Sequence, residues 1–183
     1  QTPKTLVVAC CDSRVDPAIL LHCKPGDLFV IRNVAALVPA VTQASNPCSV
    51  MSAIEYGVKH LNVEHIVVMG HSHCGGIHGL MTPESIAGET YIQDWVSIAS
   101  PALERLQAMT GDEDEKTRSR HCEEGAVLIS LDNLLSYPWI AERVKNGQLK
   151  LHALYYDLSE GNLYRFSPDS EDFELLFHTI ENP

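Results

Sequence analysis

The chain of 183 residues carries 13 lysines and arginines against 24 aspartates and glutamates, which gives a formal net charge of −11. An acidic surface repels phosphate backbones, so nucleic acid is not an expected partner, and no apolar stretch approaches the roughly 20 residues of a membrane-spanning helix. The length and the hydrophobic content of 45% predict one domain over residues 1–183, with a core that needs no disulfide bonds.

The first part of the chain predicts buried strands and one helix. Short apolar runs predict strands at Thr5–Ala9, Leu28–Ile31 and His65–Met69. Between the last two runs, apolar residues at helical spacing predict a helix from Pro47 to His60, with Asn46 as its N-terminal cap.

The second part of the chain predicts further helices before the sheet resumes. The predicted helices are Tyr91–Leu106 with a break at Pro101, Asp112–Leu135 broken or loosened near Gly125, and Pro138–Lys145. The run Leu149–Tyr156 predicts a fourth strand, with Asn162–Phe166 pairing to it as a hairpin. Continuous apolar strands that alternate with helices predict an α/β fold, with a mostly parallel sheet of four parallel strands and one antiparallel edge strand, flanked by helices.

Two turns with metal-ligand side chains follow predicted strands. Cys10 ends the first strand, and His71 and Cys74 lie in a glycine-flanked turn after the third. Ligands bind beyond the carboxyl ends of strands in parallel sheets, so we expect these residues to lie together. Two thiolates and an imidazole suit tetrahedral zinc, with a fourth position left for water or substrate.

Asp12 and Arg14 lie directly after the first cysteine and are two residues apart. A guanidinium keeps a neighbouring carboxylate ionised and oriented. Three interpretations remain open at this point: an ordinary surface ion pair, a carboxylate that accepts a proton from zinc-bound water, and a fourth zinc ligand that blocks the site.

The six cysteines allow disulfides in a secreted protein, but a reducing compartment with thiolate–metal chemistry fits the pattern better. Two cysteines stand beside other metal-ligand types, and a chain of this length needs no covalent cross-links. The remaining cysteines are predicted to be structural or free thiols, and they are Cys11, Cys23, Cys48 and Cys122.

Four segments carry a family resemblance that runs over nearly the whole chain. These segments are C-x-D-x-R at Cys10–Arg14, R-N-V-A at Arg32–Ala35, H-x-x-C-G-G at His71–Gly76 and LDNLLSYP at Leu131–Pro138. In this combination the chain resembles the β-class carbonic anhydrases, and its motifs are most similar to those of plant-type members. The resemblance implies that Cys10, His71 and Cys74 hold one zinc ion per chain.

The same resemblance implies roles for residues around the zinc. Asp12 and Arg14 would form the catalytic dyad that orients a zinc-bound hydroxide, with Asp12 as a fourth ligand in a closed state. The substrate-binding residues would be Gln43, Phe29, Tyr56 and Gly75, partly supplied by a neighbouring subunit. The implied reaction is the reversible hydration of carbon dioxide to bicarbonate and a proton, by attack of that hydroxide on carbon dioxide.

The resemblance also implies a homodimer or higher homo-oligomer, in which family members use an N-terminal helical arm that is absent from this chain. A cytoplasmic location is expected, or an organelle if a targeting segment is missing from the sequence, with no membrane partner. Two alternatives keep the scaffold and change the function. One is a carbonyl sulfide or carbon disulfide hydrolase, and the other is a non-catalytic zinc protein or bicarbonate sensor.

One position departs from a bacterial subgroup of this family that bicarbonate regulates. That subgroup has a tryptophan three residues before the first zinc cysteine, paired with an arginine and a tyrosine. Arg32 and Tyr156 match this pattern, but Val7 stands in the tryptophan position. The departure predicts that the inhibitory bicarbonate site is missing or weak, and that the zinc site stays open near neutral pH.

Overall fold

The protein was analysed as a computed structural model that describes residues 1–44, 48–109 and 111–178. The strands are β1 Thr5–Cys10, β2 Leu28–Asn33, β3 His65–His71, β4 Lys150–Asp157, β5 Asn162–Ser167 and β6 Asp172–His178. The α-helices are α1 Pro17–Leu20, α2 Ser49–Lys59, α3 Gly75–Met81, α4 Thr90–Val96, α5 Ser100–Ala108, α6 Glu115–Leu135 and α7 Pro138–Lys145. Short 3₁₀ turns lie at Val34–Ala36, Pro83–Ile86 and Ser97–Ala99.

The strands form one six-stranded sheet in the order β2-β1-β3-β4-β5-β6. The first four strands in this order are parallel, and β5 and β6 are antiparallel. The α/β fold with a mostly parallel sheet is therefore confirmed. The sequence predicted a single antiparallel edge strand, which is β5. The structure adds β6, which pairs antiparallel with β5. The sequence pattern did not reveal β6, because the exposed Leu175 and Leu176 interrupt the alternation that marks a half-buried strand.

Both faces of the central parallel strands β1 and β3 are buried, as their continuous apolar runs predicted, whereas the edge strand β2 is only partly buried. Leu6, Val8 and Ile66 pack on one face, and Val7 and Val67 pack on the other. A one-residue shift in register would turn every side chain of such a strand to the opposite face, where it would meet different neighbours. Close packing on both faces therefore specifies the register that positions the strand ends.

The helices differ from the sequence prediction at two places. α6 runs unbroken from Glu115 to Leu135, so the predicted break near Gly125 is wrong. A Cβ at Gly125 would lie 3.0 Å from the Cβ of Ala102, so this glycine allows α5 to approach α6 closely. A break in Tyr91–Leu106 is present, but it lies at the 3₁₀ turn Ser97–Ala99 and not at the predicted Pro101, which stands in the first turn of α5.

The first turn of the predicted helix after Asn46 cannot be compared, because Asn46 and Pro47 lie outside the described residues. α2 itself begins at Ser49 and follows the predicted apolar face. Within the described ranges, no helix combines the length and the apolar character needed to cross a membrane.

Gly70 is the point where β3 meets α6, and it yields a test of this packing. A Cβ at Gly70 would lie 2.4 Å from Cγ2 of Val127, a β-branched side chain with little rotamer freedom. We expect Gly70→Ala to lower the free energy of unfolding by about 1–3 kcal/mol, measured by urea denaturation.

The Val127→Ala variant is the matched partner in a double-mutant cycle. The double variant should be more stable than the sum of the two single effects, because removing the methyl groups relieves the clash. Strict additivity would contradict this account of the β3–α6 contact.

Candidate metal centre and active site

Cys10 ends β1 in a loop that backbone hydrogen bonds hold tightly. Its Sγ accepts hydrogen bonds from the backbone N–H of Asp12 at 3.4 Å and of Ala35 at 3.3 Å. The guanidinium of Arg32 donates to the carbonyl oxygens of Cys10 at 2.9 Å, of Asp12 at 2.6 Å and of Val15 at 3.2 Å. Arg32 therefore clamps the whole first turn from the neighbouring strand β2.

The turn after β2 delivers the Ala35 N–H to this sulfur through an unusual backbone conformation. Ala35 and Ala36 have φ values of 63° and 55°, in the left-handed region that alanine rarely adopts. The Asn33 side chain stabilises the turn, since it donates to the carbonyl oxygen of Leu37 at 2.9 Å and accepts from its N–H at 2.8 Å. A Cβ at Gly76 would lie 3.1 Å from the Ala35 Cβ, so this glycine allows the two turns to meet.

His71 ends β3 with its two ring nitrogens in different surroundings. Nδ1 lies 2.9 Å from the carbonyl oxygen of Ser72, which can only accept, so Nδ1 carries the proton. Nε2 then presents a lone pair, is fully buried, and has no hydrogen-bond partner among the described residues. A buried ring nitrogen without a partner is costly unless something else binds its lone pair.

His71 lies in a buried cluster with two cysteine thiols. The ligand atoms of Cys10, His71 and Cys74 all lie within 4.8 Å of one another. Hydrogen bonding from Cys74 is the largest influence on the Cys10 thiol and lowers its pKa to about 4, while the same contact and burial raise the pKa of Cys74. A nitrogen and two sulfurs around a common centre suit zinc, so the residues present fit this ion.

Asp12 lies at the edge of the cluster and is held by Arg14 through both oxygens. Arg14 Nε donates to Oδ1 at 2.9 Å, NH2 donates to Oδ2 at 2.7 Å, and the Arg14 backbone N–H donates to Oδ1 at 2.9 Å. The Arg14 guanidinium holds the pKa of the Asp12 carboxyl well below its usual range. Oδ2 lies 4.0 Å from Nε2 of His71, so an ionised carboxylate faces the centre of the cluster.

The structure does not bring every predicted site residue to this place within one chain. Phe29 lies four residues before Asn33, which pairs with Cys10, so it is about 13 Å along the strand from the cluster. Phe29 contacts Tyr56, with ring centroids 6.1 Å apart, and Tyr56 is 47% exposed. The roles of both aromatic residues therefore stay predictions.

Two further predicted residues lie in open positions. Gln43 is exposed, and its side-chain oxygen accepts from the backbone N–H of Ala40 at 3.0 Å within its own turn. Gly75 begins α3 directly after Cys74, and no atom lies within 4 Å of the position of a Cβ there. A small ligand at the cluster could therefore reach the backbone of Gly75, while the role of Gln43 stays a prediction.

Sequence reasoning missed one residue that contacts the metal turn. Glu123 on α6 accepts the backbone N–H of Cys74 at 3.1 Å, across 49 positions of the chain. No local pattern identifies such a contact, because it arises only when α6 packs against the end of β3.

The other four cysteines, Cys11, Cys23, Cys48 and Cys122, are free thiols, as predicted.

Comparison with known proteins places this cluster in a family. A family profile described as carbonic anhydrase matches residues 5–163. The chain belongs to the β-class carbonic anhydrases. The family resemblance inferred from the motifs is thereby confirmed, and the α/β fold is the one shared by the solved β-carbonic anhydrase CcaA, with a TM-score of 0.90 at 31% identity over 96% of this chain and 84% of that one.

Other β-carbonic anhydrases show the same similarity. The chloroplastic β carbonic anhydrase 5 of Arabidopsis thaliana is 41% identical over 170 residues, which are 92% of this chain and 56% of that protein. The β carbonic anhydrase 3 of the same plant is 42% identical over 164 residues, 88% of this chain and 63% of that protein. The chain thus spans 56–63% of the length of these curated relatives.

A tetrameric β-carbonic anhydrase of Sordaria macrospora also aligns with the chain. Its TM-score is 0.73 at 30% identity, over 96% of this chain and 81% of that one. A β-carbonic anhydrase of Coccomyxa, solved with acetazolamide, aligns with a TM-score of 0.75 at 28% identity over 96% of this chain and 72% of that one. The similarity to β-carbonic anhydrases therefore extends to fungal and Coccomyxa structures.

The composition of the cluster predicts which cysteine substitutions abolish zinc binding. Cys10→Ser and Cys74→Ser should each lose stoichiometric zinc after dialysis, because a serine hydroxyl is a poor zinc ligand at neutral pH. Metal content measured by mass spectrometry tests this. Cys11→Ser is the matched control, since Cys11 is exposed, adjacent to Cys10 and outside the cluster, and it should keep one zinc per chain. A Cys74→Ser protein with a full zinc complement would show that the ligand assignment is wrong.

Proposed function

We propose that this protein is a zinc carbonic anhydrase that interconverts carbon dioxide and bicarbonate. The observation that carries the proposal is the buried lone pair of His71, which has no hydrogen-bond partner within the described part of the chain and lies with two thiols beside a carboxylate that Arg14 holds in place. Membership of the β-class carbonic anhydrases supports the same reaction.

Cys10, His71 and Cys74 would hold the zinc ion. Bound there, zinc would supply a Lewis acid that makes water a usable nucleophile near neutral pH. Hydration joins a water oxygen to the carbon of carbon dioxide and releases one proton, which passes to solvent or buffer. The protein must therefore orient the attacking oxygen. We propose that Asp12 does so by accepting its hydrogen bond, because the carboxylate is ionised and faces the cluster.

Arg14 would keep Asp12 in that role. Two parallel hydrogen bonds from the guanidinium fix the plane of the Asp12 carboxylate, so the carboxylate is already oriented before the substrate binds. With both oxygens engaged by Arg14, Asp12 is held beside the cluster, an arrangement that supports an open site over one closed by a fourth ligand. The Gly75 N–H would then hydrogen-bond substrate or bicarbonate.

We further propose a homodimer in which aromatic residues of one chain complete the carbon dioxide pocket of the other. Val30 on the edge strand β2 is 39% exposed, close in the chain to Phe29 and its contact Tyr56. Exposed apolar groups along an unpaired edge strand favour pairing with a second copy. Gln43 would join the same pocket, and residues 1–183 would form one catalytic domain. The expected cytoplasmic location stays a prediction, since relatives carry chloroplastic and mitochondrial names.

The Asp12 role predicts that Asp12→Asn keeps its zinc and loses about 100-fold in turnover, the scale of a lost group that orients the reacting atoms. Stopped-flow hydration of carbon dioxide with a pH indicator measures the rate, and metal analysis shows that zinc remains. Asp94→Asn, which removes an exposed carboxylate on α4, is the control and should retain full activity. Full activity of the Asp12→Asn protein would exclude this role.

The open site predicts fast turnover of the zinc-loaded protein near pH 7 as well as near pH 8.5. Val7 is fully buried on β1 between β2 and β3, so an apolar side chain fills the position that a tryptophan holds in the regulated subgroup. Rates at both pH values, with and without added bicarbonate, test this. Turnover confined to the higher pH, or cooperative inhibition by bicarbonate, would contradict the open site.

The same assay separates the remaining functions. Carbonyl sulfide and carbon disulfide should be hydrolysed far more slowly than carbon dioxide is hydrated. A reversed preference would assign the protein to sulfide chemistry on this scaffold. No turnover of any of these substrates by a zinc-loaded protein would favour a non-catalytic or bicarbonate-sensing role.

A further inference from the structure

Behind the metal turn lies a buried carboxylate that the proposed reaction does not use. Glu123 on α6 is 5% exposed, and both of its oxygens are engaged. Oε1 accepts the Cys74 backbone N–H at 3.1 Å, and Oε2 accepts the hydroxyl of Tyr155 at 2.7 Å. The carboxylate therefore connects the backbone of a metal ligand to the buried strand β4.

A buried carboxylate is costly unless its oxygens are satisfied by hydrogen bonds or by a cationic partner. No ion pair among the described residues includes Glu123, because the nearby Arg120 pairs instead with Glu124 at 2.8 Å. An apolar side chain would pack α6 against the sheet without this desolvation cost. What an apolar side chain could not do is accept the N–H of Cys74.

Hydrogen bonds hold the backbone of Cys74 at both its N–H and its carbonyl group. Its N–H donates to Glu123, and its carbonyl oxygen accepts from the backbone N–H of His78 at 2.9 Å. The preceding residue, His73, has a φ of 57°, in the left-handed region. The turn is therefore strained where it must bend to present His71 and Cys74 to one centre, and the Glu123 contact stabilises the strained arrangement.

Glu123 is itself immobilised by rigid neighbours. Tyr155 is 1% exposed and pairs with Gly70 in the register of β3 and β4. One helical turn further along α6, Val127 packs against Gly70 so closely that a Cβ there would lie 2.4 Å from its Cγ2. The helix that carries Glu123 is thus fixed to the strand that carries His71, and the carboxylate has little freedom to move.

We propose that Glu123 is a positioning residue for the metal centre, which orients the Cys74 thiolate by fixing its peptide and is itself fixed by Tyr155. This inference rests on the proposed zinc site. Groups that orient metal ligands contribute about 10–100-fold to metal affinity in proteins, which sets the size of the effect.

The test compares Glu123→Ala, Glu123→Gln and Glu124→Ala. The zinc dissociation constant is measured by competition with a chromogenic chelator, and the cobalt-substituted proteins are compared by visible absorption. Glu123→Ala should weaken zinc about 10–100-fold and change the cobalt–thiolate bands. Glu123→Gln should restore most of the affinity and the spectrum, since its amide oxygen still accepts from Cys74 and its amide NH₂ donates to the Tyr155 oxygen.

Glu124→Ala is the matched control, because Glu124 is a buried carboxylate on the same helix that pairs with Arg120 and not with the metal turn. It should keep wild-type zinc affinity. Wild-type affinity and spectrum in Glu123→Ala, an equal loss in Glu124→Ala, or no recovery in Glu123→Gln would each overturn the proposal.

Should Glu123→Ala fail to fold, Glu123→Asp replaces it. The side chain is shorter by one methylene group and cannot reach both partners, so a folded Glu123→Asp protein should bind zinc more weakly, and unchanged affinity would overturn the proposal. Failure of the proposed function looks different. If the zinc site is absent, the wild-type protein itself binds no zinc, and if the site is not catalytic, the wild-type protein binds zinc but does not hydrate carbon dioxide.

Discussion

The parallel pairing of β1 with β3 is the constraint on which the rest of the site depends. Its register sets Ala9 opposite Met69, so the next residue of β1, Cys10, emerges beside the His71–Cys74 turn. Slipping this pairing by one residue would turn every buried side chain of β1 to the opposite face. The hydrophobic core therefore enforces the meeting of Cys10 and His71, and the turn after β3 brings Cys74 to them.

Around this meeting point, polar contacts aim groups and contribute little to overall stability. The Asp12–Arg14 pair is largely solvent-facing at Arg14, and such pairs add little to the free energy of folding. Its value lies in the fixed direction of the carboxylate. The two hydrogen bonds between the Asn33 side chain and the Leu37 backbone likewise offset the strain of two alanines in the left-handed region. That strained turn brings the Ala35 N–H to the Cys10 sulfur.

A single chain brings the metal cluster together but leaves the aromatic residues predicted for the substrate pocket elsewhere. The cluster, the Asp12–Arg14 pair and Gly75 lie at one end of the sheet, whereas Phe29 lies about 13 Å away along β2, in contact with Tyr56 on α2. Exposed aromatic and apolar groups beside an unpaired edge strand fit a shared pocket between two copies. The proposed catalysis and the proposed dimer thus follow from one arrangement of the sheet.

Local patterns in the sequence determined the strands β1 to β5, most of the helices and the candidate ligands, because buried strands and metal-binding turns depend on neighbours in the chain. β6 and the unbroken course of α6 at Gly125 could not be predicted in this way. An edge strand has no clear alternation, and the glycine is explained only by Ala102 on another helix. Tertiary structure alone decided the meeting of the His71 lone pair with two thiols and the contact of Glu123 with Cys74, since each joins groups whose distance is set by packing and not by sequence separation.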